Sequence, residues 1–179
     1  MTATTADACL PAVTRMLLAS DGSTTYLLEA MLGTRLSVVV DEQRHNLTAT
    51  AIAPAIARLV GLNADDAVLL RTSRLVTDDG ATISRNLVTA RWPPDPAIAE
   101  IITDRTAPIG PALRHAGITQ ARRILRSGTA RWSQTEAPAA FKEYVINRPA
   151  ASPVHIRETF NPHFVPTVKV LASGTGEQR

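Results

Sequence analysis

The chain has 179 residues, of which 45% are hydrophobic and 20% charged, with a formal net charge of +3. That balance suits one globular domain with a core of its own. No apolar run approaches the ~20 residues that cross a bilayer. A single cysteine, Cys9, excludes an internal disulfide framework and any multi-thiolate zinc site. Aromatics make up only 4% of the chain, so the core is expected to be aliphatic. Lys142 and Lys169 are the only lysines among 19 basic residues. The arginines are dispersed rather than run together, so no nucleic-acid partner is expected. The opening "MTATTADACLPAV" has neither a basic leader nor a long apolar segment, which fits a soluble cytoplasmic protein without a signal peptide.

In chain order, the stretch from Pro11 has helical spacing at Val13, Met16 and Leu17. A second short helix starts near Ser23 or Thr24 and stops at Gly33. "TRLSVVVDEQ" alternates Leu36, Val38 and Val40 and reads as a strand, followed by a short helix from Pro54 to Gly61. Two β-rich runs flank Asp78-Asp79-Gly80 and read as a hairpin. On its first strand Arg71 shares a face with Ser73 and Leu75, while Arg74 faces the other way. "DPAIAEIIT" and "PIGPALRHAGI" read as two short helices, the second ended by Gly117. "ITQARRILRSGTARW" fits either a strand and turn or a basic helix, and its Arg122, Arg123 and Arg126 read as a solvated face. "FKEYVINRPAASPVHIRETFNP" reads as a second hairpin with its loop at Pro149 to Pro153. The count is about five strands and four short helices. It predicts an α+β fold, a single antiparallel sheet with short helices on one face, over residues 10–168. Residues 1–9 and 171–179 are expected to be disordered tails.

The last strand carries the sharpest signal. Val154, Ile156, Glu158 and Phe160 alternate with His155, Arg157, Thr159 and Asn161, so Glu158 points with the apolar set. An inward carboxylate is costly unless it is paired or hydrogen-bonded. Either Glu158 pairs with an inward arginine, or it lies in solvent beyond the sheet's edge, or it belongs to a site. Arg71 and Arg85 both lie on apolar-lined strand faces of the first hairpin. Two guanidinium groups and one carboxylate around an aliphatic cavity suit a small anionic ligand, because arginine grips a carboxylate with two prongs.

These motifs together resemble the chorismate pyruvate-lyase superfamily. "ETFNP" is similar to its terminal Glu-x-Phe-x-Pro strand, "DGSTTYLLEAMLGTRLSVVV" to its first turn, helix and strand, "LLRTSRLVTDDGATISRNLV" to its arginine-bearing hairpin, and "APIGPAL" to its Thr-Pro-Leu-Gly segment. The resemblance implies a chorismate lyase-like sheet whose cavity is closed by helical flaps. It also implies a carbon–oxygen lyase that eliminates pyruvate from chorismate to leave 4-hydroxybenzoate, with no metal or organic cofactor. Glu158, Arg71 and Arg85 would be the catalytic set. Thr24, Ile109, Gly110 and Tyr144 would line the substrate, and Arg74 competes with Arg71 for the place facing the cavity. Glu158 would act as base, acid or orienting group. The substrate would be a small carboxylate, and the protein a monomer or homodimer.

Two positions depart from the family pattern. Thr24 stands where a bulky apolar residue is usual, and Pro111 follows Gly110. Both allow a chorismate lyase-like enzyme of secondary metabolism with a cyclic or polyketide-like substrate. A third reading is a small-molecule effector-binding module, since the sensing domains of one group of bacterial repressors share this architecture. Those domains follow a DNA-binding winged helix, and the residues before Leu10 are too few to form one, which favours the enzyme. His45, His115, His155 and His163 show no metal-ligand spacing. His155 faces away from Glu158 and is expected to lie on the surface or to pack on the sheet.

Overall fold

The computed structural model describes residues 10–148 and 151–168. The tails and the loop residues 149–150 lie outside that range. Helix α1 (Ala12–Ala19) buries Thr14, Leu17 and Leu18 along one stripe. Helix α2 (Thr24–Leu32) ends at Gly33, whose φ of 68° lets its N–H close on the Glu29 carbonyl at 2.8 Å. Strand β1 (Ser37–Thr48) follows, then a 3₁₀ turn and helix α3 (Pro54–Leu59) with proline in its first turn. Strands β2 (Ala67–Val76) and β3 (Thr82–Arg91) form the hairpin around Asp78-Asp79-Gly80. Helix α4 (Pro96–Thr103) is capped by the Asp95 carboxylate, which accepts from the Ala97 N–H at 2.8 Å. Helix α5 is Ile109–His115. Strands β4 (Ala121–Arg131), β5 (Pro138–Asn147) and β6 (Val154–Phe160) complete the chain.

All six strands join one antiparallel sheet in the order β1-β2-β3-β6-β5-β4. The expected α+β architecture is the observed one. The sixth strand is β4, the segment whose sequence fitted a strand or a basic helix equally. Strand β6 comes last in sequence but sits between β3 and β5, so Glu158 lies near the middle of the sheet rather than in solvent beyond its edge.

The helices cover the sheet through two apolar clusters. Ile98 and Ile102 of α4, with Ile109 and Leu113 of α5, pack on Leu69, Val88 and Ile156. Leu17 and Leu18 of α1, with Leu28 of α2, pack with Leu75, Ala140 and Phe160. At ~25 cal/mol per Å² of apolar surface removed from water, burial in these two patches holds the helical layer down. Helix α3 forms a small third cluster with Ala49 and Val68. No helix among the described residues is long and apolar enough to cross a membrane.

Candidate functional site

The seam between the two clusters is polar, and the strand register makes it so. Ser73 of β2 lies opposite Asn86 of β3, Asn86 opposite Glu158 of β6, and Glu158 opposite Lys142 of β5. Four adjacent strands therefore place one polar row across an otherwise apolar face. Side chains on one face of neighbouring strands stand close enough to interact, so the row acts as a unit.

Three charged side chains on this face reach up to the helices. Glu158, 6% exposed, accepts a 2.7 Å hydrogen bond from the Thr24 hydroxyl at the start of α2 and a 3.3 Å bond from the Tyr144 hydroxyl. Lys142, 1% exposed, donates from Nζ to the carbonyls of Leu17 and Ser20 at the end of α1, each at 3.2 Å. Arg71, also 1% exposed, donates from Nη1 to the carbonyls of Ile102 at 3.3 Å and Asp104 at 2.5 Å, where α4 ends. Cations at helix C-termini and an anion at a helix N-terminus are the favourable pairing with the helix dipole. Each covering helix but α5 is thus tied to the sheet by one buried charge.

Burial sets the protonation of the group. It pulls the Lys142 ammonium below its ordinary value, opposed by the nearby Glu158 carboxylate. It likewise lowers Arg71, opposed by Asp104. Burial and the Glu158 charge push the Tyr144 phenol well above its ordinary value, so Tyr144 stays protonated and serves Glu158 as a donor.

Between the polar row and helices α2 and α5 lies a small cavity of about 40 Å³. It has room for a few waters only. Ser73, Arg71 and Leu75 wall it from β2, Asn86 and Val88 from β3, and Ile156 and Glu158 from β6; Tyr144 and Arg122 close it from β5 and β4. Thr24 and Ser23 cover it from α2, Ile109 and Gly110 from α5. Two buried polar atoms on its wall have no partner in the protein, Arg71 Nε and Ser23 Oγ. Unpaired buried polar atoms are costly, and in a cavity wall they mark where a ligand atom would be held.

Of the residues singled out in the sequence, the fold brings together Glu158, Arg71, Thr24, Ile109, Gly110 and Tyr144. It does not bring Arg85 or Arg74. Strand β3 turns Ser84, Asn86 and Val88 toward the cavity, which sends Arg85 to the opposite face, its guanidinium 5.7 Å from the centre of a Trp132 ring. The expected second arginine of the cavity is therefore elsewhere. Arg74 lies across from Arg85 on that same far face and pairs with Asp41 at 2.9 Å. Sequence reading missed Lys142, Asn86 and Arg122. For Arg122 a signal was present, since it alternates with Arg123 and shares parity with Ile124, but it shows only once the segment is known to be a strand.

The far face carries a separate buried cluster. The Glu143 carboxylate accepts from Arg126 at 2.7 Å and Arg157 at 3.2 Å, and lies 2.9 Å from His155 Nε2. His155 is thus turned away from Glu158, as strand alternation requires, but it is buried rather than on the surface. Among the described residues, no group of three or more His, Cys, Asp or Glu side chains could hold a metal ion.

No protein-family model matches the chain, and no curated protein matches it. Solved structures do. The chain is similar to PhnF from Mycobacterium smegmatis, at 19% identity and a TM-score of 0.64, over 87% of this chain and 70% of that one. The effector domain of PhnF aligns at 20% identity and a TM-score of 0.59, over 80% of this chain and 91% of that one. A transcriptional regulator of the GntR family from Bacillus cereus aligns at 12% identity and a TM-score of 0.54, over 76% and 98% of the two chains. At these identities the likeness is one of fold. The chain shares the fold of regulator effector domains. That finding overturns the expectation of a chorismate pyruvate-lyase, and with it the carbon–oxygen lyase activity, the chorismate substrate and the 4-hydroxybenzoate and pyruvate products. The site agrees with the correction, because the Arg85 expected in the catalytic set is not in the cavity.

Proposed function

We propose that residues 10–168 form a small-molecule effector-binding module of the transcription-regulator type, working in the cytoplasm on a small anionic ligand. One observation carries this reading. A small cavity at the seam of sheet and helices sets two cations, Arg71 and Arg122, and one buried carboxylate, Glu158, around two unpaired polar atoms. Nothing in that set is arranged as a nucleophile and base. Arg71 and Glu158 are tied to covering helices and Arg122 to the loop between α1 and α2, which is how a ligand's arrival would become a movement of the helical layer. Arg71 and Arg122 would attract the anion, Thr24, Tyr144 and Glu158 would read a hydroxyl or ammonium group, and Ile109 and Gly110 would form the cover. The fold of PhnF's effector domain supports the same reading.

The test is the thermal midpoint of the purified protein in the presence of hydroxy acids, amino acids and phosphate monoesters at millimolar concentration. A true ligand at a hundred times its Kd stabilises by about 2.7 kcal/mol, a shift of several degrees. Glu158→Gln and Arg71→Met are expected to lose the shift, while Arg74→Ala, on the far face, keeps it. A panel with no shift at all, or a shift that survives in both cavity variants, would overturn the module.

A further inference from the structure

Beside the inner chamber lies a second, larger cleft of about 380 Å³, lined by the loop from Asp21 to Ser23, by Gly110 and Arg114 of α5, and by Gly117 to Gln120 and Arg122. That volume is in the range of small-molecule sites, whereas the inner chamber is far below it. Three residues belong to both walls: Ser23, Gly110 and Arg122. Of the three, Arg122 has the only long, mobile side chain between the chambers.

Its present contacts are those of a latch. Nη1 donates to the Gly22 carbonyl in the α1–α2 loop, Nη2 donates to the Gln120 side-chain oxygen at 3.3 Å, and the group sits 5.6 Å from the centre of the Tyr144 ring. All of these partners are neutral. Among the described residues no carboxylate lies within salt-bridge distance of Arg122. The outer cleft as a whole sets Arg114 and Arg122 against one acid, Asp21. A half-buried guanidinium without an anion gains by exchanging a neutral acceptor for a charged one.

Gly110 is what lets the latch close. A Cβ at that position would stand 2.8 Å from Arg122 Nη2 and 3.3 Å from Ser23 Oγ. The nearer atom is the tip of a flexible side chain, so an alanine there would expel the guanidinium and leave the helix intact. Gly110 lies inside α5 and has no left-handed backbone, so nothing but this close approach requires a glycine.

We propose that Arg122 is the gate and anion anchor of the site. The ligand's anionic group, a carboxylate or a phosphate, enters the outer cleft and draws Arg122 from Gly22 and Gln120. The two chambers then merge, and the ligand's hydroxyl or ammonium end reaches Glu158. This rests on the effector-module reading and adds to it which end of the ligand goes where and which residue admits it.

Two variants separate the gate from the anchor. Arg122→Ala removes both the latch and the cation; Gly110→Ala removes the closed position and keeps the cation. Hydrogen exchange without any ligand reads the gate: amides of 24–28 and 109–113 are expected to exchange several-fold faster in both variants than in the wild type. Calorimetric titration reads the anchor, with glycerate and glycerol 3-phosphate as the carboxylate and phosphate probes and glycerol as the neutral control. At least one anion is expected to bind the wild type and to bind Arg122→Ala about tenfold or more weakly, with glycerol binding neither. Unchanged exchange in both variants would overturn the gate. Anion binding that survives Arg122→Ala but is lost in Glu158→Gln would overturn the anchor and leave the effector module standing. If neither anion binds the wild type, the proposed ligand chemistry is wrong, whatever the wider panel shows for the module.

Discussion

At the scale of the residue, burial decides what each charge does. Glu158 has hydroxyl donors from two elements, so its charge is compensated without an arginine touching it. On the far face, burial pulls His155 below its ordinary 6.5, with the Glu143 hydrogen bond opposing. The folded protein then binds that proton less tightly than the unfolded chain, and stability falls as pH drops from about 6.5 toward the lower folded value. For Glu143, burial raises the carboxyl, but hydrogen bonds from Arg126 and His155 outweigh it and bring it below 4.5. Its contribution is present above that value and is lost as pH falls beneath it. Urea midpoints measured from about pH 7.5 to 4 are expected to decline first near 6.5 and more steeply below 4.5. His155→Gln should remove the upper decline and leave the lower one.

At the scale of the element, glycine has two opposite uses. Gly33 ends α2 at a φ of 68°, and a Cβ there would meet nothing within 4 Å. Gly33→Ala therefore costs backbone strain alone, about 1 kcal/mol in urea unfolding, with ligand binding unchanged. Gly110 has ordinary helical backbone, and its substitution acts through the Arg122 side chain instead. The same residue type terminates a helix in one place and admits a guanidinium in the other. Only the first use was legible, because a glycine after an apolar helical stripe is a stop signal, whereas close approach of a residue 12 positions away is not written locally.

At the scale of the whole molecule, two apolar clusters hold the helical layer to the sheet, and buried charges fix its position between them. Lys142 belongs to this joint, linking β5 to the end of α1 while facing Glu158 across the register. Lys142→Met would strand the Leu17 and Ser20 carbonyls and leave Glu158 without the buried cation opposite it in the sheet. The loss is expected to be roughly 3 kcal/mol, read from equilibrium unfolding. An overlay of urea curves within a few tenths of that of the wild type would show that the joint is held by the apolar clusters alone.

The sequence by itself determined the elements other than β4. Strand alternation, proline at the starts of α3 and α4, and the Asp-Asp-Gly turn are local signals, and local conformational preference is enough to read them. It also determined that Glu158 faces inward and that Arg71 and Arg74 part company, since both follow from a period of two along one strand. Tertiary structure alone decided the rest. By sequence parity β3 offers apolar residues to both sides, Ile83 and Leu87 against Val88 and Ala90, and Ile83 itself packs with the helix-side cluster where the register shifts beside Val76, so the side taken by Arg85 depended on its neighbours. The register that aligns Ser73, Asn86, Glu158 and Lys142, and the placing of β6 between β3 and β5, bring together residues up to 85 positions apart, counted from Ser73 to Glu158. Pairing across that distance is set by the energy of the assembled sheet and its covering helices, and no single stretch of sequence contains it.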